Sequence, residues 1–141
     1  AGCANSTFFG GSYPQGAALG ACGSASVASE ELVLELTLLP LNQFGLVFMG
    51  GGQLQSPFGD GFQCVGAGGL GIFRFNPPQS SGAGGTIRLG PGIVARSQGF
   101  GANGHIDAGE TWYFQGWYRD PMGPCGTAFN LSHGLALTFA P

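Results

Sequence analysis

The chain has no lysine, and Asp, Glu, Lys and Arg together make up only 8% of its 141 residues. An ordinary soluble domain carries about 25%. Four arginines stand against seven acids, giving a formal charge of -3. That balance cannot neutralise a phosphate backbone, so nucleic acid is excluded as a partner. The lack of lysine also excludes Lys–Asn isopeptide cross-links. No apolar run reaches the roughly 18 residues that span a bilayer as a helix, so no membrane span is expected. Apolar residues nowhere recur at a spacing of 3.6 over three turns, which leaves no long amphipathic helix. A chain of this length buries one core, so one domain is expected.

Glycine fills 29 positions and cysteine four. The chain starts Ala1-Gly2-Cys3, which reads as a start left by processing such as signal-peptide cleavage. With the even cysteine count this points to an exported, oxidised protein, secreted or at the cell surface. Cys3, Cys22, Cys64 and Cys125 allow three pairings, of which Cys3–Cys22 with Cys64–Cys125 is the expectation. No C-x-x-C spacing exists, and only His105 and His133 would join the cysteines on a metal. Two structural disulfides are therefore favoured over a metal site, and no cofactor is implied.

Residues 1–23 show no clear period and read as an N-terminal arm or loop ahead of a domain spanning 24–141. Leu32, Leu34, Leu36 and Leu38 alternate with Val33, Glu35 and Thr37, a half-buried strand that Pro40 ends. A short strand is expected over 24–28. Further strands are expected over 44–49 (closed by Gly50-Gly51-Gly52), 61–65, 71–75, 86–89, 111–119 and 134–139, with 90–109 irregular. Seven to nine short strands between Gly/Pro turns predict an all-β fold, an antiparallel β-sandwich of immunoglobulin-like or jelly-roll kind, stapled by disulfides.

Within strand 111–119, Trp112, Phe114 and Tyr118 share one face, and Tyr113 and Trp117 the other. One face of a two-layer sandwich should be wet, yet both are aromatic here. Tyr113 and Trp117 are thus either covered by the chain's own loop, or an interface with a second copy, or a platform on which a sugar stacks. Phe44, Leu46 and Phe48 opposite Val47 and Met49 pose the same question.

Other chemistry is thinly signalled. Gly66–Gly71 and Gly99–Gly104 match G-x-G-x-x-G, but neither opens a helix, and in so glycine-rich a chain about one match arises by chance. There is no G-x-S-x-G elbow. His105 or His133 with Asp60, Asp107 or Asp120 are the residues from which a triad would have to come. Glu30, Glu31 and Glu35 read as a solvated face, not a glycosidase pair. Asp60 and Asp107 sit in glycine-rich loops without a D-x-D-x-D-G calcium spacing. Arg119-Asp120-Pro121 reads as a structural corner, with Arg119 paired to a carboxylate and Pro121 stopping the strand. Asn5-Ser6-Thr7 and Asn130-Leu131-Ser132 are sequons, making Asn5 and Asn130 candidate glycosylation sites of a glycoprotein.

Several segments carry a resemblance: Leu39-Pro40-Leu41-Asn42-Gln43-Phe44-Gly45-Leu46, Pro57-Phe58-Gly59-Asp60-Gly61-Phe62-Gln63-Cys64-Val65-Gly66, Phe114-Gln115-Gly116-Trp117-Tyr118-Arg119-Asp120-Pro121, and Phe129-Asn130-Leu131-Ser132-His133-Gly134-Leu135 onward. Together they resemble a repeat domain of secreted, often multidomain proteins of planctomycete-type bacteria. The resemblance covers residues 24–141 and implies an exported β domain with no assigned enzymatic activity. Ala140 stands where that family ends in cysteine, and Cys125 falls in a loop where it rarely has one, so its disulfides do not carry over.

The expectation is a non-catalytic extracellular structural subunit whose partners are copies of itself, self-assembling into a filament or surface layer, with arm 1–23 free to add a strand to a neighbour. The alternative is a carbohydrate-binding or adhesion module using exposed Tyr113 and Trp117.

Overall fold

A computed structural model describes residues 16–122 and 126–141. The described chain is mostly strand and its named strands all pair antiparallel, in three sheets. Strands β1 (Ala18–Cys22), β2 (Val33–Thr37) and β8 (Ile87–Leu89) form a three-stranded sheet in the order β1-β2-β8. A five-stranded sheet runs β10 (Phe129–Thr138), β9 (Thr111–Arg119), β3 (Phe44–Gly50), β6 (Ile72–Arg74), with β7 (Gln79–Ser80) pairing the start of β3. Strands β4 (Gly52–Phe58) and β5 (Gly61–Gly66) make a separate hairpin.

The alternation read in the sequence decides which side chains meet. Leu34 and Leu36 of β2 are wholly buried with Ile87 and Leu89 of β8. They share one core with Val47, Met49, Trp112, Phe114 and Tyr118 from the five-stranded sheet. The two sheets pack closely at Gly116: a Cβ there would run into the Leu36 side chain. Burying such side chains stabilises by about 1.5–3 kcal/mol each, so this core dominates the fold's energetics.

Several expectations are corrected. The arm is not free throughout, because Ala17 and Leu19 are core residues and β1 pairs with β2 from Ala18↔Thr37 to Cys22↔Val33. Residues 24–28 form no strand, only a bridge between Ser26 and Ala140. The described residues form ten strands instead of seven to nine. Within the stretch expected to be irregular lies α1 (Ile93–Ser97), followed by two 3-10 turns. One helical turn is too short to show a period. It buries Ile93, Val94 and Ser97 and is capped from a distance, where Ala95 N–H donates to Glu30 Oε1 at 2.7 Å. Glu30 is therefore a helix cap, and Glu35 pairs with Arg88 across β2 and β8 at 3.0 Å.

Candidate functional site

The outer face of the five-stranded sheet, away from the main core, holds the site. Opposed residues share a face, so the register places Leu46 beside Trp117 and Leu131, Phe48 beside Gln115 and Arg74, and Gly50 beside Tyr113 and Ile72. Leu46, Phe48, Val65 and Leu131 form a second buried cluster, against which Ile72, Tyr113 and Trp117 pack half-buried. Tyr113 and Trp117 thus do lie together on one face, as their spacing requires, and the chain's own β4–β5 hairpin covers part of it.

The hairpin is held at its base, middle and tip. At the base, Gly51 alone links β3 to β4, and Gly50 lies so close to the Gly66 carbonyl that a Cβ has no room. In the middle, Gln115 is fully buried. Its Oε1 accepts from Cys64 N–H at 2.9 Å, and its Nε2 donates to the Phe62 carbonyl at 2.9 Å and the Ser132 carbonyl at 2.7 Å. At the tip, the two-residue turn Gly59–Asp60 buries the Asp60 carboxylate. Asp60 Oδ1 accepts from the Thr127 hydroxyl at 2.6 Å, and Asp60 N–H donates to the Phe129 carbonyl at 3.1 Å.

Between this hairpin and β6 a groove of about 480 Å³ stays open. Leu46, Phe48, Ile72 and Trp117 come from the sheet, Phe58 and Gln63 from the hairpin, and Arg74 and Pro78 from the far side. Phe58 is 46% exposed and packs edge-on against Phe129 at 5.1 Å. Arg119, expected to pair with a carboxylate, instead stacks over the Trp117 ring with its Cζ 5.4 Å from the centroid. Gln63 Nε2 donates to the Val65 carbonyl at 2.9 Å. The arrangement offers an indole and a phenyl ring, aliphatic walls and a few polar tips. This is what a small-ligand groove needs to fix an orientation without chemistry.

The remaining candidates do not converge. His105 Nε2 lies 3.6 Å from Asp107 Oδ1, both well exposed. His133 sits in β10, where the Ser132 hydroxyl donates to its carbonyl at 2.8 Å and accepts from Gly116 N–H at 2.8 Å. Among the described residues no three His, Cys, Asp or Glu side chains group as metal ligands would. Asp60 and Asp120 are buried, as is Asn130. An Asn130 side chain with no solvent exposure cannot carry a glycan in this fold, so that sequon is corrected. Asn5 lies outside the described residues. The first glycine motif is a reversal between β5 and β6, with Leu70 and Gly71 N–H both donating to the Ala67 carbonyl.

Cys22, expected to pair with Cys3, is an exposed free thiol at the end of β1. Cys64 is disulfide-bonded, and Cys3 and Cys125 lie outside the described residues. Arg74, Phe58 and Gln115 were missed as site residues. Arg74 had a signal, since it alternates with Phe73 and Phe75 and so points away from the core they fill. Phe58 had none, because nothing in β4 alternates. No family model, curated protein or solved structure matches the chain.

Proposed function

We propose that this chain is an exported, disulfide-stapled β-sandwich that acts outside the cell as a non-catalytic carbohydrate-binding or adhesion module, with the Trp117 groove as its site. The observation that carries this reading is the groove itself: its volume lies in the range of small-ligand sites, and Trp117 and Phe58 give it flat apolar surface for the C–H face of a sugar ring. The resemblance to exported bacterial repeat domains agrees with the location. A glycan array run on the intact chain tests it. Binding is expected to fall by about tenfold or more in Phe58→Ala, consistent with the loss of one aromatic contact. Phe58 is half exposed, so this variant should keep the fold, whereas Trp117→Ala also thins the second cluster and serves as a companion only. An array with no hit would sink the reading.

A second reading, the self-associating structural subunit, draws on one observation. Among the described residues strand β1 is a sheet edge whose Gly20, Ala21 and Cys22 are exposed, and it bears no charge and no proline. Nothing in that composition blunts an edge against a second copy. Against it, both faces of the five-stranded sheet already pack on the chain itself, so apolar strands no longer call for a partner. Ala21→Lys is expected to shift any native oligomer to monomer in sedimentation velocity. An oligomer unchanged by that lysine would remove β1 as the contact.

A further inference from the structure

We infer that the groove prefers an acidic saccharide, one bearing carboxylate or sulfate, and that Arg74 sets the preference; this rests on reading the groove as a carbohydrate site. The four arginines are used differently. Arg88 pairs with Glu35 at 3.0 Å. Arg96 donates to the Asn76 carbonyl at 2.8 Å and lies over Phe75. Arg119 lies over Trp117. The Arg74 side chain alone has no hydrogen bond, ion pair or ring contact with any described residue, yet it stands opposite Phe48 on the groove's wall.

Among the described residues no carboxylate lines the groove and Arg74 is the one charged residue on its walls, with Arg119 behind the Trp117 ring, on a chain that is acidic overall. A guanidinium is planar, weakly hydrated and forked, and it holds carboxylate or sulfate through two parallel hydrogen bonds. Gln63 has spent its amide N–H on the Val65 carbonyl, which leaves Oε1 as an acceptor for a hydroxyl. A cation, an acceptor and apolar walls complement the acid group, hydroxyls and C–H face of one kind of ligand, an acidic sugar. An acidic peptide fits less well. The floor strands β3 and β9 are each flanked by paired strands on both sides, and Val47 O already accepts from Phe75 N–H at 3.0 Å. An extended peptide therefore finds no backbone ladder on that floor.

The test is calorimetric titration of the whole chain with oligogalacturonate, a sulfated disaccharide, a neutral cello-oligosaccharide and an oligoglutamate. An acidic sugar is expected to bind about tenfold tighter than the neutral one, since hydrogen bonds to charged groups are worth that or more. The preference should shrink as salt rises. Arg74→Gln should abolish it, costing the acidic sugar about tenfold more affinity than the neutral one, and should keep the fold, because an exposed arginine side chain adds little to stability. Equal binding of acidic and neutral sugars, a preference that survives Arg74→Gln, or oligoglutamate bound as tightly as the acidic sugar each overturns this inference and leaves the carbohydrate reading standing or revised. Failure of every sugar overturns both.

Discussion

Gln115→Leu is expected to destabilise the protein by about 3–5 kcal/mol, because each buried polar group that loses its partner costs about 1–3 kcal/mol. The Gln115 side chain meets three backbone groups at once: Cys64 N–H and the Phe62 carbonyl on β5, and the Ser132 carbonyl on β10. Leucine matches the volume and can satisfy none of them. A loss of that size is a large share of a domain's stability of about 5–15 kcal/mol. Denaturant unfolding followed by fluorescence measures it. With Trp112→Phe as background, Trp117 is the sole indole, and its emission reports directly on the hairpin. A red shift below the global transition is expected in Gln115→Leu, since the hairpin loses its central tie before the main core yields. A change within about 0.5 kcal/mol, the usual scatter of surface substitutions, would show that the tie is dispensable.

Gly50→Val is the second large effect, at about 2–3 kcal/mol, the upper part of the range for overpacking. A Cβ at this position meets the Gly66 carbonyl and a Val65 methyl. A carbonyl in the backbone cannot rotate away as a side-chain tip does. The β3–β4 link is one residue long, so relief can come only from lifting the hairpin off the sheet. Ligand affinity should therefore fall together with stability, because Phe58 and Gln63 ride on that hairpin. Wild-type stability in Gly50→Val would mean that the hairpin does not sit this close to β3.

These two variants also show why the motif-bearing segments need not imply chemistry. Asp60, Gln115, Asp120, Asn130 and Ser132 all fall within them, and all are buried polar residues. At least Asp60, Gln115 and Ser132 spend their side chains on backbone groups or a neighbouring threonine. A buried polar group must be paired to be tolerated, so a network of them specifies one arrangement of hairpin on sheet. From the chain alone, Asp120 looked like a corner and Asp60 like a loop acid. Their burial is a property of what folds over them.

What was legible and what was not follows one physical line. Alternation along a strand is local, so β2, β3 and β9 could be placed from their own residues, as could the split of Trp112, Phe114 and Tyr118 from Tyr113 and Trp117. Strand β4 was invisible because it is exposed along nearly its whole length and so has no buried face to imprint a pattern. β1 was hidden in glycine and alanine, and α1 by its single turn. The sequence by itself determined an all-β chain and the two aromatic faces of β9, because side-chain period and composition are carried by neighbours along the chain. Only the tertiary structure decided that the second aromatic face is partly roofed by β4 and β5, that Gln115 fastens the roof, and that Arg74 and Phe58 meet Trp117 across an open groove. Those are meetings between residues far apart in sequence, set by strand order and hairpin direction, which no local pattern records.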